Sequence, residues 1–289
     1  MNDILQKQNL PVNLDYLKAS SVLYSRAKVA FGIQIVVTVI LTITFSFLKL
    51  IPKENLGFEL NAFLGIASIL IVFADILFFN FYVSGLRTSG AKAQEKFDCT
   101  LYELPWNKIN SGSELESYII RESVSEYKPD PKSPIENWYD INLEGLSKER
   151  AILLCQETNL FYDGKLREHF KMANILTCIS IFVISLVISL IAGNKVSEYI
   201  TVVLVPVLPM ISLTLKIIVE NKKSLTVSAD LKKTVLQLKA REGDPSMEEL
   251  RGIQDKIYCN RKDSTLVPNW YYKWRRKKLE KIMKFNASN

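Results

Sequence analysis

The stretch "MANILTCISIFVISLVISLIAGN", Met172 to Asn194, contains no charged residue. Crossing a bilayer core of about 30 Å takes roughly 20 apolar residues in a helix, and this run supplies them. Three other runs share its character. Val29 to Leu48 has no charge and only Gln34 as a strong polar group, and Leu60 to Leu86 has Asp75 as its one charge. Tyr199 to Leu215 has none, and Ile217, Ile218 and Val219 extend it past Lys216, whose long stem can reach the interface. A buried helix of a soluble protein would account for any one such run. Four, in two closely spaced pairs, predict an integral membrane protein. About 28 mostly polar residues precede the first run and no small-residue cleavage site follows it. It is therefore read as a span, not as a cleaved signal peptide.

The distribution of Lys and Arg sets the expected topology. Of the 37 in the chain, two (Lys49 and Lys53) lie between the first two runs and one (Lys195) between the last two. The other 34 lie in the N-terminal segment, the middle segment and the tail, which the positive-inside rule assigns to the cytoplasm. The net charge of +7 is unevenly placed. The middle segment, residues 84–171, has twelve cations against fifteen acids, whereas residues from Lys216 onward have eighteen against nine.

The expected fold class is mainly α. Four transmembrane helices in two hairpins join a mostly helical cytoplasmic domain built from the middle segment and the C-terminal tail. The expected divisions are a cytoplasmic N-terminal helix (1–28) and a first hairpin (29–86, with spans at about 29–48 and 60–83). A cytoplasmic segment (87–171), a second hairpin (172–221, with spans at about 172–193 and 199–219) and a basic helical tail (222–289) follow. Val227, Leu231, Val235 and Leu238 recur at helical spacing, as do Met247, Leu250, Ile253 and Ile257. Gly243 reads as a helix stop, Asp244-Pro245 as an N-cap with first-turn proline, and Asp163 as a cap inside the lead into the third span. "YKPDPKSP" reads as a loop. In "AKAQEKFDCTLYELPWN", Ala91 to Asn107, the helix of the second span is expected to continue to about Phe97. Leu104-Pro105-Trp106 then turns the chain, as a collar between membrane and soluble parts.

Much catalytic chemistry is missing. His169 is the one histidine, which removes the usual His/Cys zinc sites and makes a histidine-assisted nucleophile a poor reading. Neither GxxxxGK[ST] nor GxGxxG occurs. No CxxC is present among the four cysteines; Cys99, Cys155 and Cys259 are expected in the reducing cytoplasm and Cys178 in the third span. No enzyme activity, catalytic residue, metal or cofactor is expected. Inside the spans, Asp75 and Gln34 are candidates for a pore or an inter-helix contact, because an intramembrane carboxylate needs a partner or water. Pro206 and Pro209 would bend the fourth span and are candidate gating positions. The tail sequence "VPNWYYKWRRKKLEKIMKF" interleaves aromatics and cations, a pattern that suits anionic lipid headgroups, nucleotides or an exposed basic helix.

Three stretches, "AKAQEKFDCTLYELPWN", "RAILLCQETNLFYDGKLR" and "DPSMEELRGIQDKIYCNRKDSTLVPNWYY", together resemble the SMODS-associated four-transmembrane (S-4TM) effector family of bacteria, almost end to end. The resemblance implies an effector of an anti-phage system of the CBASS kind. A cGAS-like nucleotidyltransferase makes a cyclic di- or trinucleotide. The effector binds it, oligomerises with its own kind and breaches the bacterial inner membrane, causing abortive infection. Such a ligand needs cations for phosphates, aromatic faces for bases and amides for base edges. The cytoplasmic candidates are Trp106, Asn107, Arg150, Gln156, Asn159, Arg167, Arg251, Gln254, Tyr258, Arg261 and Trp270. For Trp106 the collar role is the stronger expectation. Membrane lipids are expected partners and DNA or RNA polymers are not. The alternative readings are a non-pore membrane scaffold that binds a partner through its basic tail, and a constitutive channel subunit.

Overall fold

A computed structural model describes residues 2–41, 44, 60–74, 80–131, 134–191, 193, 195–200, 205–271 and 274–275. The expectation of a mainly helical chain holds, and no strand occurs among the described residues. Among the described residues the longer helices are α1 (Pro11–Ile35), α2 (Leu60–Ala74), α3 (Asn80–Tyr102), α4 (Ser117–Glu126), α5 (Lys148–Ile191), α6 (Val205–Ala240) and α7 (Met247–Asp263). Helix α1 opens on Pro11, whose missing N–H costs nothing in a first turn, and continues into a π-helical turn over Val36–Ile40.

Helix α5 has 44 residues, about 66 Å at 1.5 Å per residue, and α6 has 36. Each carries both a polar and an apolar half. Asp163 is therefore not a cap: it lies inside α5, which passes it and Gly164 without a break. An interior glycine costs only about 1 kcal/mol, and burial of Leu160, Leu166 and Phe170 on either side outweighs it. Among the described residues α5 is the one helix long and apolar enough to cross a membrane. Its apolar half is largely exposed: Leu176 is 58%, Ile184 56% and Ile191 81% accessible. On α2, Phe63, Ile66, Ile69 and Leu70 are exposed too. Contiguous exposed apolar surface of this extent marks contact with something other than water.

At the polar ends the helices gather into one core, which contains Leu17, Phe97, Leu101, Tyr102, Tyr139, Ile152, Leu153, Leu231, Val235, Leu250, Ile253 and Ile257. The N-terminal segment joins it, beyond the two segments expected to build it: Ile4 is 1% accessible and Gln8 exchanges hydrogen bonds with the backbone of Tyr139. A second cluster of Ala27, Ala30, Phe31, Val83, Leu166, Phe170, Leu213, Ile217, Leu266, Val267 and Tyr271 lies where the polar and apolar halves meet. Helices α1 and α3 approach closely at Gly90. Its carbonyl accepts from Ser20 Oγ at 3.1 Å, and an added Cβ would meet the Tyr24 ring at 3.1–3.2 Å.

The expected N-cap at Asp244 is displaced by two residues. Helix α7 starts after Ser246, whose Oγ accepts from the Glu249 N–H (3.1 Å) while the Glu249 carboxylate accepts from the Ser246 N–H (2.8 Å). This reciprocal capping box satisfies two backbone donors, more than Asp244-Pro245 offers. Asp244 instead accepts from Arg150 Nε at 3.3 Å. Helix α6 ends at Ala240, ahead of the expected stop, and Gly243 follows in the connecting bend with φ of 82°.

Leu250 is fully buried in the core, whereas Leu236 on α6 is 47% accessible. Leu250→Ala is expected to destabilise the detergent-solubilised protein by about 2–5 kcal/mol in a denaturant titration. Leu236→Ala should change it by no more than about 0.5 kcal/mol.

Candidate functional site

Glu95 and Asp98 lie three residues apart on α3, hence on one face. They meet the face of α7 that carries Arg251, Gln254 and Arg261, at the corresponding helical spacing. Arg251 Nη2 donates to Glu95 Oε1 at 2.5 Å and to Asp255 Oδ1 at 2.7 Å. Arg261 Nη1 donates to Asp98 Oδ2 at 2.6 Å. Between the two ion pairs, Gln254 Nε2 donates to Glu95 Oε2 (2.8 Å) and Asp98 Oδ2 (2.9 Å). Both carboxylate side chains are essentially inaccessible, at 1% and 0%.

A second layer surrounds these pairs. Asp98 Oδ1 accepts from the Tyr139 hydroxyl at 3.1 Å, and that hydroxyl lies 2.5 Å from Tyr102 Oη and accepts from Asn159 Nδ2 at 2.9 Å. From α5, Gln156 Nε2 donates to the Leu250 carbonyl (2.9 Å) and to Gln254 Oε1 (3.2 Å). Asn107 Nδ2 donates to Asp255 Oδ2 at 2.7 Å, and its own Oδ1 caps the short helix Lys108–Ser111. Six expected ligand residues, Asn107, Gln156, Asn159, Arg251, Gln254 and Arg261, are thus brought together. Their donors are spent largely on the protein's own acceptors.

The others lie at the edge of the network or away from it. Tyr258 is 1% accessible within the domain. Trp106 is half-buried at the edge of the network; its Nε1 donates to the Gly112 carbonyl at 2.9 Å and Lys96 Nζ lies 5.9 Å from its ring centroid. Arg150 closes the end of α6, donating to the carbonyls of Leu238, Lys239, Arg241 and Gly243. Arg167 bonds the Thr265 carbonyl (2.8 Å), Ser264 Oγ (2.6 Å) and Asn221 Oδ1 (3.3 Å) at the membrane-side cluster. Trp270 is 70% accessible. Gln34 is 2% accessible on α1, Pro206 and Pro209 fall within the first five residues of α6, and Asp75 lies outside the described residues.

The electrostatics follow from burial. Desolvation and the neighbouring Asp98 push Glu95 above its ordinary carboxyl value, with Arg251 acting against them. Burial opposes the charges of Arg251 and Arg261, yet the facing carboxylates hold both guanidinium groups above their usual range. Burial pushes the Cys99 and Cys155 thiols far up, which leaves them unreactive. Among the described residues no cluster of His, Cys, Asp and Glu could hold a metal ion. The site holds α7 against α3.

The SMODS-associating 4TM effector domain family matches residues 2–289. The chain belongs to this family. It is also 26% identical over 293 residues to a probable CBASS effector molecule of Bacillus cereus (strain VD146), covering 98% of this chain and 97% of that protein. No solved structure matches it. The S-4TM family is one of effectors, with a domain named for membrane spans, which agrees with the exposed apolar half of α5.

Sequence reasoning found the α7 side of the network and missed the α3 side. Glu95 and Asp98, two acids at i, i+3 in a segment with a helical pattern, face one direction, but nothing in the sequence places Arg251 and Arg261 opposite them.

Asp98→Asn would leave the Arg261 guanidinium buried without its countercharge, at a cost of about 3–5 kcal/mol. Adding Arg261→Gln should cost much less than the sum of the two single changes, and a double-mutant cycle in denaturant reads this coupling. A second expectation concerns pH. The folded state keeps the Glu95 proton to higher pH than the unfolded chain does. The stability this contributes is fully present below the ordinary value of 4.5 and is lost as pH rises through the folded value. Unfolding titrations should therefore show Glu95→Gln growing less destabilising relative to the parent as pH rises above about 4.5.

Proposed function

We propose that the protein is a membrane effector of a bacterial anti-phage signalling system, activated by a cyclic di- or trinucleotide. In this reading four helices in two hairpins cross the inner membrane with both termini in the cytoplasm. Subunits associate through them to open a pore, and the infected cell dies or stops growing. A cGAS-like nucleotidyltransferase supplies the ligand. Membership of the S-4TM family and the likeness to a probable CBASS effector support the setting.

The observation that carries the mechanism is the continuity of α5 and α6 between the cytoplasmic core and the apolar halves. No flexible linker separates receptor from membrane, so a shift of α7 against α3 is passed along rigid helices. The nucleotide is placed at the rim of that junction. There Trp106 is half-exposed, Lys96 lies over its ring, and the adjoining Asn107 bonds Asp255 on α7. Aromatic faces and cations are what bases and phosphodiesters require. A ligand that favours one arrangement of α7 shifts the population by its difference in affinity for the two.

Purified protein in dye-loaded liposomes, given a panel of cyclic di- and trinucleotides, tests this. Release with one nucleotide and not with the others is expected. Absence of both binding and release across the panel would overturn the reading. Release without nucleotide would favour a constitutive channel.

A further inference from the structure

Where the polar and apolar halves meet, α1, α3 and α6 enclose a cavity of about 200 Å³ together with Thr265 and Leu266. One wall is apolar, with Phe31, Val83, Leu213 and Ile217; the other carries Asn80, Ser84, Arg87, Lys216 and Glu220. Its level relative to a bilayer is fixed by its surroundings. Phe81 is 73%, Val219 64% and Val29 64% accessible beside it, a girdle of apolar side chains facing outward. The C-terminal segment is pinned at the same level, because the Tyr271 ring packs on Phe170 at 5.2 Å. That leaves Trp270 and Trp274 exposed at 70% and 66%, with the Arg275 guanidinium over the Trp274 ring. Tryptophan at such a boundary is characteristic of a headgroup layer.

Among the described residues, Arg87 and Lys216 line the cavity together with one acid, Glu220, 3.9 Å from Arg87 Nη1. Lys28 is held down to about 8 by burial and by the Arg167 charge, and burial lowers Arg87 as well. Arg87 Nη1 donates to the Ser264 carbonyl at 2.9 Å, but its Nε has no partner, and neither does the buried Asn221 Nδ2. Lys216 Nζ donates to the neutral Asn80 Oδ1. A largely buried guanidinium with an unspent donor, beside an exposed ammonium at the open side of the cavity, calls for an anion.

We propose that this cavity binds the phosphodiester headgroup of an anionic phospholipid, with Arg87 and Lys216 taking the phosphate and Glu220 accepting from a headgroup hydroxyl. Phosphatidylglycerol has this chemistry. The apolar wall then meets the start of the acyl chains, and the small volume suits a headgroup and nothing larger. The lipid would tie α3 to α6 at the point where both leave the membrane. The inference rests on the membrane placement proposed above.

The test uses the full chain reconstituted in mixed phosphatidylcholine and phosphatidylglycerol vesicles, with native mass spectrometry counting the lipids retained on extraction. Retention of phosphatidylglycerol over phosphatidylcholine is expected. Lys216→Gln and Arg87→Gln should each lower that preference about fivefold, the effect of one cation near an anionic headgroup. Lys223→Gln should leave it unchanged; Lys223 is exposed on the same helix, about 10 Å further out at 1.5 Å per residue. Lys216, at the open side of the cavity, keeps the test valid if Arg87→Gln fails to fold. Equal loss in Lys223→Gln would reveal diffuse surface attraction and overturn the site. So would equal retention of both lipids, or displacement of the lipid by soluble glycerol 3-phosphate, which would make the occupant a free phosphate ester. Failure to float with either vesicle would instead overturn the membrane placement itself.

Discussion

The buried pairing of Glu95 and Asp98 with Arg251 and Arg261 is the constraint on which the polar half of the structure depends. Ions removed from water lose several kcal/mol of hydration each, and their attraction compensates only when the geometry is good and the remaining donors and acceptors are met. Here Gln254 bridges the two carboxylates, Tyr139, itself held by Asn159, completes Asp98, and Asp255 also accepts from Arg251. Such a network contributes little net stability compared with an apolar core. It does fix which face of α7 meets α3, because rotating α7 by one residue would bury every one of these charges unpaired. Ile253 and Ile257, on the neighbouring stripe of α7, then pack in register with Leu231 and Val235.

That register matters because the helices do not stop at the domain boundary. Helix α3 leads from the charge network to Val83 and Asn80, α5 from Gln156 to Phe170 and beyond, and α6 from Val235 to Leu213. Packed helices deform in discrete steps, not continuously. A change at the network therefore reaches the second cluster as a displacement of whole helices. The second cluster is lined by small residues on α1, Ala27 and Ala30, which lets helices approach closely and slide with little side-chain rearrangement.

The helical class, the stripes on α6 and α7 and the continuity of α1 with the first apolar run were legible because each rests on local periodicity. Two boundaries were not. Asp163 resembles a cap, but caps matter only where backbone groups lack partners, and burial around Leu166 and Phe170 keeps α5 helical through it. Ser246 won over Asp244 because Glu249, three residues on, completes a box that a single acid cannot. In the candidate site the cations, amides and aromatics were visible, but their partners were not: Glu95 and Asp98 lie more than 150 residues from Arg251 and Arg261 in sequence. No spacing rule links positions so far apart.

The same long-range pairing bears on how a nucleotide could act. A phosphodiester approaching Arg251 or Arg261 directly would have to displace a carboxylate that is already desolvated and well bonded, and then leave that carboxylate buried alone. The cost of the orphaned acid would offset most of the new interaction. A ligand at the half-exposed rim meets no such penalty. It can instead act on the network through Asn107, whose amide couples the turn after Trp106 to Asp255, and through Asp255 to Arg251. On the proposed reading the turn at Trp106 receives the ligand, and the buried charges pass its effect to α7.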